Sequence, residues 1–68
     1  MDYNKLIGAN LKKHRKEKSK TQLQVSKDLG INPKSLSQWE NGFVKPDWKA
    51  AKKLCDYYNI KLDDLLKL

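Results

Sequence analysis

The 68-residue chain has one cysteine, one histidine, one methionine, one phenylalanine, three glycines and two prolines. A lone cysteine, Cys55, excludes an intramolecular disulfide and any cysteine-based metal cluster. Lying on a helical apolar stripe, it reads as a small buried packing residue, and a reducing cytoplasm suits it. No apolar run approaches the roughly 18 residues needed to cross a bilayer, and the opening stretch MDYNKLIGANLKK lacks the apolar region of a signal peptide. The expectation is a soluble, cytoplasmic protein with no membrane partner. Internal repeats, low-complexity tracts and Gly/Ser linkers are missing too, and the longest irregular piece is Phe43 to Pro46. A chain this short reads as one domain, residues 1–68, which buries roughly 60% of its unfolded surface and leaves no room for a second functional domain. Asp63, Asp64, Glu17 and His14 make no nucleophile and base constellation, so neither an enzyme nor a metal or cofactor site is expected.

What is abundant is positive charge. The formal net charge is +7 and the sequence pI is about 9.6. Residues 12–20, KKHRKEKSK, set six Lys/Arg against the single Glu17. Such a balance favours a polyanionic partner over a merely solvated surface once a nucleic-acid-binding pattern lies beside it.

That pattern is residues 21–42, TQLQVSKDLGINPKSLSQWENG. Thr21 followed three residues later by Gln24 is a capping box, which starts a helix near Gln22. Val25, Ser26 and Leu29 form a buried stripe, and Gly30 supplies the left-handed conformation that ends the helix after about two turns. Ile31 follows as an apolar plug. Asn32 then caps a second helix with Pro33 in its first position, where the missing N–H costs nothing. Leu36 and Trp39 share one face; Lys34, Ser35, Ser37 and Gln38 occupy the others, and Gly42 terminates the helix. Two short helices around a glycine turn, the second with an outward face of hydrogen-bonding side chains, look like a DNA-reading helix-turn-helix.

The flanks read as further helices. Ile7 and Leu11, one turn apart, with Tyr3, Leu6 and His14 extending the apolar side, predict a helix over residues 2–17 with Gly8 as its weakest point. Pro46 and Asp47 open another, with Trp48, Ala51, Leu54, Cys55 and Tyr58 on one stripe and Asn59 at its end. A short fifth helix over Leu62 to Leu66 follows Ile60. The fold class expected is all-α, with five helices and no strand.

Ile7-Gly8, Leu11, Arg15, Thr21-Gln22, Gly30-Ile31-Asn32, Ser35 to Gly42, Pro46 and Leu62 to Leu66 together resemble the XRE/Cro/C1 repressor-like helix-turn-helix family over nearly the whole chain, from about Lys5 to Leu66. The resemblance implies a five-helix, lambda-repressor-like domain that binds operator DNA, usually as a dimer, and regulates transcription. By the same resemblance the N-terminal end of the second motif helix enters the major groove, with Pro33, Lys34, Ser37 and Gln38 facing bases. Lysine can donate to guanine O6/N7 and a glutamine amide can pair with adenine N6/N7, each contact worth about 1–3 kcal/mol of discrimination. Gln22, Ser35, Asn41 and Lys45 match phosphate-contacting positions, with Ser35 able to serve base edges as well. Arg15 and Glu40 match a pair that bridges the opening helix to the end of the recognition helix, a structural role.

Several positions depart from the family pattern. His14 stands where an apolar residue is usual, Ser26 where Ala is usual, and Ala51 where a larger aliphatic is usual, Trp48 being placed to fill the resulting space. His14 reads as a partly exposed packing residue and not as a switch or metal ligand. Leu23 falls on a position that is usually polar and could meet a partner. At the C-terminus Leu62 and Leu65 read as core, whereas Leu66 and Leu68, with Tyr57 or Tyr58, form a candidate dimer surface. A two-fold dimer would set recognition helices about 34 Å apart and imply a palindromic operator. The expected function is a small Cro-like repressor on double-stranded DNA; the alternative is an antitoxin or anti-repressor module that binds a partner protein.

Overall fold

Each helix of the computed structural model, which describes residues 2–68, is bounded by its own local chemistry. Helix α1 spans Tyr3–Glu17, α2 Gln22–Leu29, α3 Pro33–Glu40 and α4 Trp48–Tyr58. At their N-termini, side-chain oxygens of Asp2, Thr21, Asn32 and Asp47 accept the backbone N–H of Lys5, Gln24, Lys34 and Ala50. The Thr21 cap is a full capping box, since Gln24 Oε1 accepts the Thr21 N–H at 2.8 Å. Asp2 is therefore the cap of α1 and not its first turn.

The C-termini share one device. A residue in the left-handed region, Ser19, Gly30, Gly42 or Asn59, follows each helix. The next residue then donates its N–H back across the last turn: Lys20 to Arg15, Ile31 to Ser26, Phe43 to Gln38 and Ile60 to Cys55, at 2.9 to 3.3 Å. This is the six-to-one bond of the Schellman motif.

The fifth element differs from expectation. Leu62–Leu66 is a 3-10 turn, so the chain has four α-helices and one 3-10 segment, and no strand among the described residues. The tighter turn is opened by a bond between residues three apart, Asp64 N–H on the Lys61 carbonyl, with Asp64 Oδ2 accepting the Lys61 N–H at 2.9 Å. Asn10 Nδ2 donates to the Leu65 and Lys67 carbonyls at 2.7 and 2.9 Å, which ties the turn to α1.

Leu11, Val25, Leu36 and Leu54 are fully buried, joined by Cys55, Tyr58 and Leu65, with Ile7, Leu29, Ile31, Trp39, Ile60 and Leu62 packed around them. Ser26 is buried too, and its Oγ donates to the Gln22 carbonyl at 2.7 Å, so the hydroxyl is satisfied. Trp48, assigned to the core stripe from its spacing, is 70% exposed and does not fill the space beside Ala51. Its place in the first turn of α4 lifts it past the edge of the core. Tyr3 is likewise exposed.

Gly8 is not a weak point of α1. A Cβ at that position would collide with the Trp39 carbonyl oxygen and stand 2.7 Å from that of Glu40. Helix α1 thus crosses the end of α3 at backbone distance, and the glycine is what lets it.

Candidate nucleic-acid interface

Three side chains from three elements converge where α1 crosses α3. Arg15 Nε donates to Glu40 Oε2 at 2.8 Å and Arg15 Nη2 to Glu40 Oε1 at 3.0 Å, a bidentate pair. Gln22 Nε2, from the first turn of α2, donates to the same Glu40 Oε1 at 2.9 Å. Arg15 Nη1 completes the set by donating to the Lys20 carbonyl at 2.8 Å, at the turn between α1 and α2. The Glu40 side chain is only 1% exposed and that of Arg15 11%. The hydrogen bonds it donates to Glu40 hold the Arg15 guanidinium above its ordinary pKa, against the opposing effect of burial. One carboxylate therefore fixes α1, α2 and α3 relative to one another.

With its Leu36 and Glu40 face committed to the interior, α3 turns the rest outward. Pro33, Lys34, Gln38 and Asn41 are exposed, and Ser35 and Ser37 are half-buried. Lys34, Ser37, Gln38 and Asn41 follow helical spacings of three and four, so they form one stripe; Ser35, about 100° further round than Lys34, lies to its side. Asn41 Nδ2 donates to Ser37 Oγ at a long 3.4 Å. The stripe offers an ammonium donor, a hydroxyl and two amides. Lys45 is exposed in the loop beyond, beside the start of α1.

Two assignments change in place or partner. Gln22, read as a phosphate-contacting residue, is half-buried and has its amide nitrogen engaged by Glu40, so its Nε2 donor is held within the protein. Tyr58, read as part of a candidate dimer surface, is 6% exposed and belongs to the core, because its place on α4 turns it toward α1, where its ring stacks on His14 at 6.4 Å. Its hydroxyl has no hydrogen-bond partner among the described residues, and burial drives its pKa far above the ordinary tyrosine range. Tyr57 is half-buried; its hydroxyl donates to Asp28 Oδ2 at 2.6 Å, and Lys18 Nζ lies 5.4 Å above its ring. Leu66 and Leu68 are exposed. His14 is partly buried with Nδ1 3.1 Å from Glu17 Oε1. Burial raises the Cys55 thiol pKa. No group of residues with metal-ligand geometry occurs among the described residues, and no helix is long and apolar enough to cross a membrane.

The Gln22 to Glu40 link and the backbone contact at Gly8 could not be found from spacing alone. The one available signal was that Gln22, Glu40, Arg15 and Gly8 are all polar or small at positions where a helix face turns inward.

A family model described as a helix-turn-helix domain matches residues 8–68. The chain belongs to the XRE-type helix-turn-helix family. This helix-turn-helix protein is 36% identical over 91% of its length to the HTH-type transcriptional regulator YqaE of Bacillus subtilis, covering 53% of that protein. It is 33% identical over 90% of its length to the antitoxin PezA of Streptococcus pneumoniae, covering 39% of it, and 33% identical over 88% to the transcriptional regulator ImmR of Bacillus subtilis, covering 47%. The chain thus spans about half the length of these relatives. Its fold is similar, with a TM-score of 0.90 and 28% identity, to the solution structure of the SOS-response transcriptional repressor LexA from Eubacterium rectale, over 98% of this chain and 71% of that one.

Proposed function

We propose that the chain is a sequence-specific DNA-binding transcriptional regulator, a small Cro-like repressor of the cytoplasm that reads operator DNA by placing the N-terminal end of α3 in the major groove. The observation that carries this reading is the locked outward stripe of α3. Glu40 secures the helix from behind through Arg15 and Gln22, while Lys34 and Gln38 are exposed in front, with the half-buried Ser37 between them. Pro33, Lys34, Ser37 and Gln38 meet base edges; Gln22, Ser35, Asn41 and Lys45 meet phosphates on either side. The +7 charge supplies the sequence-independent attraction.

The exposed Leu66 and Leu68, with the rim of Tyr57, support a homodimer, and hence a palindromic operator. The similarity to an antitoxin supports a second reading, in which the surface carrying the 54% exposed Leu23 binds a partner protein. Selection of bound sequences from random duplex DNA, followed by titration of the winner at 50 and 200 mM salt, separates them. An enriched inverted repeat with half-sites about 10 base pairs apart, or a multiple of that, and a steep salt slope is the result expected of the regulator. No enrichment over background would transfer the function to the protein partner.

A further inference from the structure

Asn41 and Gly42, at the far end of the outward stripe of α3, form a chemically labile pair. Of the five asparagines, at 4, 10, 32, 41 and 59, only Asn41 precedes a glycine. Lys5, Leu11 and Ile60 follow three of the others and crowd the backbone nitrogen with a Cβ, and Pro33 follows Asn32 with no N–H at all. The Gly42 nitrogen is unhindered. In the reaction this permits, that nitrogen attacks Asn41 Cγ, the Cγ–Nδ2 bond breaks, and ammonia leaves with the proton the nitrogen gives up. Water then opens the resulting cyclic imide at either carbonyl, leaving aspartate or isoaspartate at position 41. The Asn41 side chain is exposed, and its Nδ2 is held only by the 3.4 Å contact to Ser37 Oγ.

The folded backbone opposes the attack. At ψ −6° the Gly42 nitrogen is nearly eclipsed with the Asn41 nitrogen and turned away from the Asn41 side chain, so ring closure requires rotation about the Cα–C bond. The Gly42 N–H donates to the Trp39 carbonyl at 3.2 Å, and the Phe43 N–H donates to the Gln38 carbonyl at 3.1 Å. Rotation breaks both bonds, so the last turn of α3 has to open first. Opening is easier here than at the ends of α2 and α4. There the residue after the left-handed one is Ile31 or Ile60, each packed against the core, whereas Phe43 is 74% exposed and anchors nothing.

We propose that Asn41 is a deamidation site gated by the last turn of α3, and that the modification inactivates the chain only while it is off DNA. The proposal rests on the reading of α3 as the helix that enters the groove, with Asn41 against a phosphate. A carboxylate at position 41 meets like charge on the duplex and sits at the negative end of the α3 dipole. Isoaspartate also inserts a main-chain carbon ahead of Gly42, which misplaces the close contact of Gly42 with Lys5 and the bond from Phe43 to Gln38. Bound duplex holds the last turn shut, so loss of the amide falls in proportion to the unbound fraction.

The test is incubation of the full chain in mildly alkaline buffer, free, with excess selected duplex, and unfolded in urea, with the peptide carrying Asn41 followed by mass and by isoaspartate content. Loss at Asn41 should be fastest in urea and slower in the free chain by the opening factor that hydrogen exchange at the Gly42 amide reports. It should slow about a hundredfold further at a free duplex concentration about a hundred times the dissociation constant. Asn41→Asp, the product made directly, should bind selected and unselected duplexes about five- to tenfold more weakly. Asn41→Gln, which closes the ring far more slowly, should keep its affinity through the incubation that ages the parent. Amide loss at Asn41 in the free chain no faster than at Asn4, Asn10 or Asn59 overturns the site. Equal loss with and without bound duplex, or parent affinity in Asn41→Asp, overturns the link to DNA while leaving the reading of α3 intact if the parent discriminates between duplexes. A parent chain that binds neither duplex refutes that reading and the link together.

Discussion

The guanidinium of Arg15 holds both carboxylate oxygens of Glu40, at 2.8 and 3.0 Å, across 25 residues of sequence and inside a side-chain environment closed to water on the glutamate side. Removing either partner leaves a charge that was desolvated for the other. Glu40→Ala is expected to cost about 3–5 kcal/mol of stability, read as a lower urea midpoint. Its DNA affinity should fall by the same loosening, although Glu40 touches no base; a stable Glu40→Ala chain with lost DNA binding would contradict this.

Gly8→Ala tests the backbone crossing of α1 over α3. In an ordinary helix interior the change would add up to about 1 kcal/mol of stability. Here the new methyl group meets two carbonyl oxygens, so the expected sign is reversed, with a loss of about 1–3 kcal/mol. Thermal unfolding of the variant decides the sign.

Tyr58→Phe should be neutral or stabilising near pH 7, because it removes a buried hydroxyl without a partner. The same variant alters alkaline stability. The pKa of Tyr58 in the folded chain lies above the ordinary 10.0, so between those two values the unfolded chain sheds a proton that the folded one keeps. Stability is thus unaffected below pH 10 and is lost as pH rises beyond it. A shallower decline in Tyr58→Phe, followed by denaturant melts from pH 8 to 11, is the expected outcome.

Gln38→Ala should relax preference at one base position and leave binding to unselected duplexes nearly unchanged, since the proposed phosphate contacts would remain. Affinity across a panel of single-base operator variants measures it. Equal weakening on every duplex would place Gln38 on the backbone.

Exchange of Lys12 and Lys13 together for Gln should reduce affinity through long-range attraction and keep the same preferred site. Repeating the sequence selection with the double variant checks this; a new consensus would show direct readout by α1.

Helix ends were the most legible part of the fold, because capping is a local code: Thr21 with Gln24, Asn32 with Pro33, Asp47, Gly30 and Asn59 each act within a few residues of themselves. Which apolar residue reaches the interior was less legible. Trp48 and Tyr58 lie on one helical stripe, yet the first is exposed in the opening turn and the second is buried beneath α1. Periodicity gives the direction of a side chain but not how far the neighbouring element extends. The short fifth segment reads as a helix from its leucines, and only the tally of backbone bonds distinguishes a 3-10 turn. For the candidate interface, the outward residues of α3 followed from spacing, whereas the engagement of Gln22 by Glu40 depends on the crossing of α2 and α3, which no local pattern encodes.

The left-handed residues that close α2 and α3 also fix the length of each helix. Each of these helices has a capped start and a fixed stop only eight residues apart, so neither can gain or lose a residue at its ends without breaking a specific bond. Asn32 and Gly42 thus set which residues α3 contains, while the buried Leu36 and the anchored Glu40 set which way its stripe faces. A change at Glu40 therefore disturbs aim and stability together, whereas an exchange at Lys34 or Gln38 alters what is presented and leaves the support in place.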